Sequence, residues 1–174
     1  MAARWRLKPS EPEHVQTLSR ESGLPGLVAQ LLLLRGARTS AEARAFLEVR
    51  RDGLHDPQHL PGVIEAAERV VRAIQDHRKI VIYGDYDVDG VCGTSLLWAC
   101  LQLAGAKQVE YYIPHRVDEG YGLNPEALRM LASDRGASLI LTVDCGVSAV
   151  KEAELARSLG VELIVTDHHT PGPV

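Results

Sequence analysis

Asp85, Asp87 and Asp89 stand two residues apart in the stretch Lys79-Ile-Val-Ile-Tyr-Gly-Asp-Tyr-Asp-Val-Asp-Gly90. Carboxylates this close repel one another unless a cation sits among them. Hard divalent ions such as Mg2+ or Mn2+ take oxygen ligands of this kind, so the pattern suggests a metal site. An acidic surface turn is the competing reading, and an isolated motif does not exclude it. A calcium loop is excluded. An EF-hand needs a bidentate Glu at its twelfth position, here Leu96, and a helix in front of the loop rather than the β-branched run Ile80–Tyr83.

The elements around the motif must place it. Val63, Ala67, Val70, Val71 and Ile74 recur at helical spacing, with Glu65→Arg69 and Glu68→Arg72 on the other face. Ile80–Tyr83 is a buried strand, and Gly90 and Gly93 are expected to turn the chain into a helix beginning near Thr94. That helix is expected to bury Leu96, Leu97, Cys100 and Leu101 and to end at Gly105. Val109–Ile113 is a second strand stopped by Pro114. Asn124 caps a helix that has Pro125 at its first position. Leu139–Val143 is a third strand, Ser148 is expected to cap a helix running to Gly160, and Val161–Thr166 is a fourth strand. Strands alternating with helices predict an α/β fold, a mostly parallel sheet with helices on both faces. Asp85, Asp144 and Asp167 then each stand just beyond the carboxyl end of a strand, the edge where open parallel sheets bind ligands. His168 and His169 add imidazoles at the same edge. Such a set suits two divalent ions, with Asp144 or an aspartate of the first motif bridging them. Ions about 3.5–4 Å apart clamp a phosphoryl group and activate the attacking water.

Residues 1–61 are expected to form a small helical lead and linker, and residues 62–174 the α/β part. Ser10-x-x-Glu13 and Thr39-x-x-Glu42 both fit capping boxes. Leu27, Val28, Leu31 and Leu34 form an apolar stripe that stops at Gly36, and the run Leu31–Leu34 is expected to be core. Gly53–Gly62 is a loop that includes His55 and His59. The 45% hydrophobic content supplies a real core, and the net charge of −4 carries no basic nucleic-acid footprint. Cys92, Cys100 and Cys145 make no CxxC pair. On one helix, Cys92 and Cys100 lie about 12 Å apart, too far to bridge. This dispersed set suits a reducing, cytoplasmic setting. No stretch approaches a membrane span.

Asp85-Tyr-Asp-Val-Asp-Gly90, Thr142-Val-Asp-Cys-Gly146 and Asp167-His-His169 resemble, in order, motifs of the DHH phosphoesterase superfamily. Ile113-Pro-His-Arg-Val-Asp-Glu-Gly-Tyr-Gly-Leu123 is similar to a stretch of its RecJ-type single-strand-specific exonucleases. The resemblance implies a bacterial, cytoplasmic Mn2+- or Mg2+-dependent hydrolase with two ions, degrading single-stranded DNA from the 5′ end in recombination and repair. It implies a single-strand-binding protein as a further partner. By the same resemblance Asp85, Asp87, Asp89, Asp144 and His168 match metal ligands. His169 and Asp144 match catalytic positions, with His169 also meeting the scissile phosphate, and Asp167 orients an imidazole. Arg116 and Tyr121 are the expected substrate contacts, the first through phosphate and the second by stacking on a base.

That family carries a further metal-binding aspartate and a second domain downstream. Residues 1–174 are therefore expected to be the amino-terminal part of such an enzyme, with weak metal binding and no appreciable activity alone. Two other functions stay open at this point. One is a phosphoesterase acting on short oligonucleotides, cyclic dinucleotides or pyrophosphate. The other is a non-catalytic fragment that binds metal or a partner.

Overall fold

The computed structural model describes residues 8–9, 11–48, 50 and 53–171. The chain divides into two compact units at Pro57/Gln58.

Among the described residues the first unit has three α-helices, α1 (Pro12–Ser22), α2 (Gly26–Leu34) and α3 (Ser40–Leu47). Pro12 opens α1 behind Glu11; Ser10, expected as its cap, lies outside the described residues. The Thr39–Glu42 capping box forms in full, each side chain bonding the other residue's backbone N–H. The expected core run Leu31–Leu34 of α2 holds at Leu32 and Leu33 and is corrected at Leu31 and Leu34. Leu27, Leu31 and Leu34 are exposed, Leu27 to 70%. Ala29 and Leu32 are buried instead, with Leu18, Ala37 and Ala43, while Val28 and Leu33 pack beside them. Residues 27–34 are apolar except Gln30, so periodicity could not choose a face; packing of α1 on α2 chooses it.

In the second unit, α4 (Val63–Gln75) leads into β1 (Ile80–Gly84), α5 (Val88–Leu103), β2 (Val109–Tyr112), α6 (Pro125–Ser133), β3 (Leu139–Val143), α7 (Val150–Ser158) and β4 (Glu162–Ile164). All strand pairs are parallel, in the order β2-β1-β3-β4. Strand side chains alternate between two cores. Ile80, Ile82, Leu139 and Leu141 meet Ala73 of α4 and Leu101 of α5. Val81, Tyr83 and Ile140 meet Leu128 and Leu131 of α6, with Leu155 of α7 against them. The sheet is thus covered on both faces, as parallel sheets are.

Several local expectations are corrected. The inner side of α4 is Val70, Ala73 and Ile74, while Val71 is half exposed and Ala67 exposed. Helix α5 begins at Val88 rather than near Thr94, and it buries Gly90, Thr94 and Leu101, leaving Leu96 and Cys100 exposed. Helix α5 has apolar residues on several faces, so again packing selects its inner one. Its end fits expectation: Gly105 adopts a left-handed φ of 91° and Ala106 N–H returns to Leu101 O. Ser148 does not cap α7; Ala149 holds the cap position without a side-chain bond. Strand β4 ends at Ile164, after which Thr166 is tied to β3 through side chains.

Gly90 and Gly93 lie inside α5, where they do not turn the chain but let the helix approach the strand ends. A Cβ at Gly90 would lie 2.5 Å from Asp85 O, and one at Gly93 would lie 2.7 Å from Val143 Cγ1. Backbone cannot yield, whereas a valine methyl can shift. Gly90→Ala is therefore expected to cost about 1–3 kcal/mol of overpacking, more than the ~1 kcal/mol alanine gains over glycine in a helix. Gly93→Ala should cost less, and the midpoints of urea unfolding compare the two.

At the opposite edge of the sheet, Glu162 bonds Arg69 at 2.9 Å and Arg78 at 2.8 Å. Arg69 first and Arg78 next hold its carboxyl below the ordinary value. A carboxyl pKa lower in the folded chain adds stability above the unfolded value, and the increment is lost as pH falls through the folded value. Wild type and Glu162→Gln should therefore differ by about 1 kcal/mol at neutral pH. Their thermal midpoints should converge as the pH is lowered into the carboxyl range.

Candidate metal centre

The strand order sets the site. From β1 the chain passes outward to β2, then returns across β1 to β3. The carboxyl ends of β1 and β3 thus flank the point where the winding reverses, where open α/β sheets form their crevice. Asp85 follows β1 and Asp144 follows β3, so these residues become neighbours although 59 positions apart.

Both are buried, with Asp85 3% and Asp144 7% exposed. Asp85 Oδ1 and both Asp144 carboxylate oxygens receive no aligned hydrogen bond. Buried carboxylates without donors are costly, and a cation removes that cost. Asp144 also has a left-handed backbone, φ 64°, which an aspartate tolerates better than most residues. Its N–H donates to Thr166 O at 3.0 Å. Thr166 N–H in turn donates to Thr142 Oγ1 at 3.1 Å, and Thr166 Oγ1 donates to Thr142 O. This double threonine clamp continues β4 beyond its last strand residue and brings Asp167, His168 and His169 beside Asp144.

Two overlapping ligand groups result. Asp85, Asp87 and Asp144 form one, and Asp144, His168 and His169 the other, the donor atoms of each lying within 4.8 Å of one another. Asp144 belongs to both. His168 Nε2 stands 2.9 Å from Asp144 Oδ1. Asp89, in the first turn of α5, joins neither group but lines the same open hollow as Asp144 and His168. The donor set of carboxylates and imidazoles suits Mn2+ or Mg2+, and the orphaned oxygens of Asp85 and Asp144 fit such ions.

The protonation pattern reflects the crowding. Burial, then the charge of Asp87, pushes the Asp144 carboxyl up, against the pull of His168 and His169. Asp87 goes the other way, held down first by the Gly90 amide. Two carboxylates this close share a proton unevenly. Divalent ions held between them would keep both ionised.

Asp167 does not point into the clusters. Its side chain is 2% exposed. Its oxygens accept from Val147 N–H at 2.9 Å and His169 N–H at 3.0 Å, and lie 2.7 Å from His169 Nδ1. Burial opposes its charge, but these donors hold its carboxyl below the ordinary range. The Asp167 hydrogen bond in turn raises the His169 imidazole. Asp167 thus fixes His169 rather than His168.

The residues expected to meet substrate lie on the loop between β2 and α6. The Arg116 guanidinium stands over the Tyr86 ring at 5.1 Å, against the loop that carries Asp85 and Asp87. Tyr121 is already engaged. Its hydroxyl donates to Asp144 O at 3.1 Å and lies 3.1 Å from His169 Nδ1, and its ring meets the His169 ring edge-on. Burial raises its hydroxyl pKa to about 12, so it stays a neutral donor. Thr142 and Tyr86 stand inside the motifs read from the sequence, but their contacts with Thr166 and Arg116 carry no sequence signal, since each partner is distant in the chain.

Residues 79–174 match the sequence model of the DHH family, N-terminal domain. The chain belongs to the DHH family. Among curated relatives, it is 46% identical over 170 residues to the single-stranded-DNA-specific exonuclease RecJ of Bacillus subtilis (strain 168), which covers 98% of this chain and 21% of that protein. It is 38% identical over 172 residues to the enzyme of the same name from Escherichia coli (strain K12), covering 99% of this chain and 29% of that one. A crystal structure of exonuclease RecJ bound to manganese superposes with a TM-score of 0.63 at 40% identity, over 70% of this chain and 31% of the other. RecJ of Thermus thermophilus in complex with Mn2+ gives 0.62 at 32% identity, over 98% of this chain and 23% of the other. The chain thus spans between about a fifth and a third of these proteins. The parallel α/β architecture is that of the DHH domain in these neighbours.

Removing a mutually repelling carboxylate should leave the metal-free fold intact, yet Asp87 is also the cap of α5. Its Oδ1 accepts from Asp89 N–H at 2.9 Å and Gly90 N–H at 3.1 Å. Asp87→Ala should therefore lower the thermal midpoint of the metal-free chain, whereas Asp87→Asn keeps a capping oxygen and should not. Both should weaken Mn2+ binding measured by calorimetry.

Proposed function

We propose that this chain is the metal-holding part of a single-stranded-DNA-specific exonuclease that hydrolyses phosphodiester bonds with two Mn2+ or Mg2+ ions. The observation that carries the proposal is Asp144 shared between two ligand groups at the switch point of the sheet. The likeness to RecJ enzymes supports DNA as substrate, and the superposing RecJ structures were solved with manganese.

In this reading Asp85, Asp87, Asp144 and His168 hold the ions, and Asp89 adds its charge from the rim of the same hollow. The ions, when bound, polarise the scissile phosphate and lower the pKa of the attacking water. His169, with Nδ1 held by Asp167, keeps Nε2 for the phosphate or the leaving oxygen. Arg116 offers a phosphate contact beside Tyr86, and Tyr121 steadies His169 while its half-exposed ring offers a base a stacking face. A single-strand-binding protein is a further proposed partner.

Splitting the two histidines tests the assignment. In an enzyme extended at its carboxyl end to the length of these relatives, His169→Ala should lower turnover by about 10²–10⁴-fold while leaving Mn2+ binding close to wild type. His168→Ala should weaken Mn2+ binding itself. Equal loss of metal affinity in both would make His169 a ligand. Hydrolysis of pyrophosphate or dinucleotides, with single strands left intact, would overturn the choice of substrate.

A further inference from the structure

Glu119 stands outside both ligand groups, yet it is the most heavily bonded carboxylate of the loop that carries Arg116 and Tyr121. Its Oε1 accepts from the Tyr112 hydroxyl and from Asn124 Nδ2 at 2.9 Å, and its Oε2 accepts from His115 N–H at 2.7 Å. Its own N–H donates to His115 O at 2.8 Å. The residue therefore closes the turn over 116–119 from both ends. It also ties that turn to the last residue of β2 and to the cap of α6, since Asn124 caps α6 through Ala127 N–H.

We propose that Glu119 is a positioning residue, holding Arg116 and Tyr121 over the metal centre; this rests on the exonuclease reading above. The loop has little stiffness of its own. Gly120 and Gly122 both lie at left-handed φ with open space around them, so side chains must impose its shape. Beyond Glu119, the fastenings run to the sheet and the site. The buried Tyr83 hydroxyl donates to Gly122 O at 3.0 Å, and its ring packs on Tyr112 at 5.3 Å. Tyr121 reaches Asp144 O and His169, and Arg116 reaches Tyr86. Glu119 is the anchor of the turn preceding these contacts, and the only acceptor among them that gathers donors from β2, the turn and the α6 cap together. Burial opposes its charge, but the His115 amide, the Tyr112 hydroxyl and the Asn124 amide outweigh it and keep the carboxylate ionised. Both oxygens accept from protein donors, and Glu119 belongs to neither ligand group.

Glutamine at this position presents one acceptor oxygen and one NH2 group to the same three donors, so at least one contact becomes donor against donor. Alanine removes all three. In the 174-residue chain, Glu119→Ala is expected to speed amide hydrogen exchange across residues 115–122 by about tenfold or more, with Glu119→Gln intermediate, while β1 and β3 stay protected. Mn2+ binding by calorimetry should change by no more than about twofold, because no ligand moves. Affinity for a short 5′-phosphorylated deoxythymidine strand should fall by about tenfold or more. Unchanged exchange at 115–122, or Mn2+ affinity lost along with it, would overturn the positioning role. Should the wild-type chain itself bind no single strand, the substrate reading fails, and the exchange and Mn2+ measurements still decide what Glu119 holds.

Discussion

Two carboxylates buried side by side at the end of a parallel sheet are the constraint on which this DHH domain depends. Asp85 and Asp144 lie against each other because β1 and β3 are hydrogen-bonded neighbours in register from Ile80–Leu139 to Gly84–Val143. Like charges held so close, with few aligned donors on their oxygens, are unfavourable in a metal-free protein. The surrounding core must be strong enough to enforce the arrangement. It is: β1 is buried over its whole length, and apolar side chains cover both faces. Stability in the sheet thus sustains local instability at the site, and divalent ions relieve it.

The layers around this pair serve its geometry. Gly90 and Gly93 let α5 press against the strand ends, which places Asp87 as both helix cap and ligand candidate. The Thr142–Thr166 clamp carries the chain past β4, so that the Asp167-His168-His169 run arrives beside Asp144. Asp167 then directs its charge to His169 and to backbone amides. Of three neighbouring side chains, one faces the metal group, one is braced, and one does the bracing. The same double use appears on the β2–α6 loop, where Tyr121 both braces His169 and presents its ring to solvent.

Much of this was legible in the residues. Alternating strands and helices followed from β-branched runs and amphipathic segments, and their parallel pairing followed from the crossover lengths. Caps with a side-chain partner were readable, as Thr39 and Asn124 show, because the bond closes within three or four residues. Asp85, Asp144 and Asp167 could be placed beyond strand ends because a strand's end is a local property. Family membership followed from motif order, which is likewise written along the chain.

What the sequence left undecided depends on contacts between distant residues. The inner faces of α2 and α5 were only half legible: Leu32, Leu33, Leu97 and Leu101 do meet the cores, but Leu31, Leu34, Leu96 and Cys100 do not, because apolar residues on several faces of a helix give it no single direction and only the partner element chooses one. Gly90 and Gly93 looked like turn residues, since nothing in their neighbours reveals that Asp85 O and Val143 would crowd a Cβ. The bracing of His169 by Asp167, the contacts of Tyr121 and the bonds of Glu119 rest on side-chain orientations over 2 to 48 positions that no local pattern specifies. The order β2-β1-β3-β4 came from tertiary structure alone, and it alone makes Asp85 and Asp144 neighbours. Sequence determined which side chains stand at the strand ends. Pairing of the strands decided which of them lie close enough to hold one ion together, because hydrogen-bonded parallel strands lie about 4.8 Å apart and no signal within a single strand encodes its neighbour.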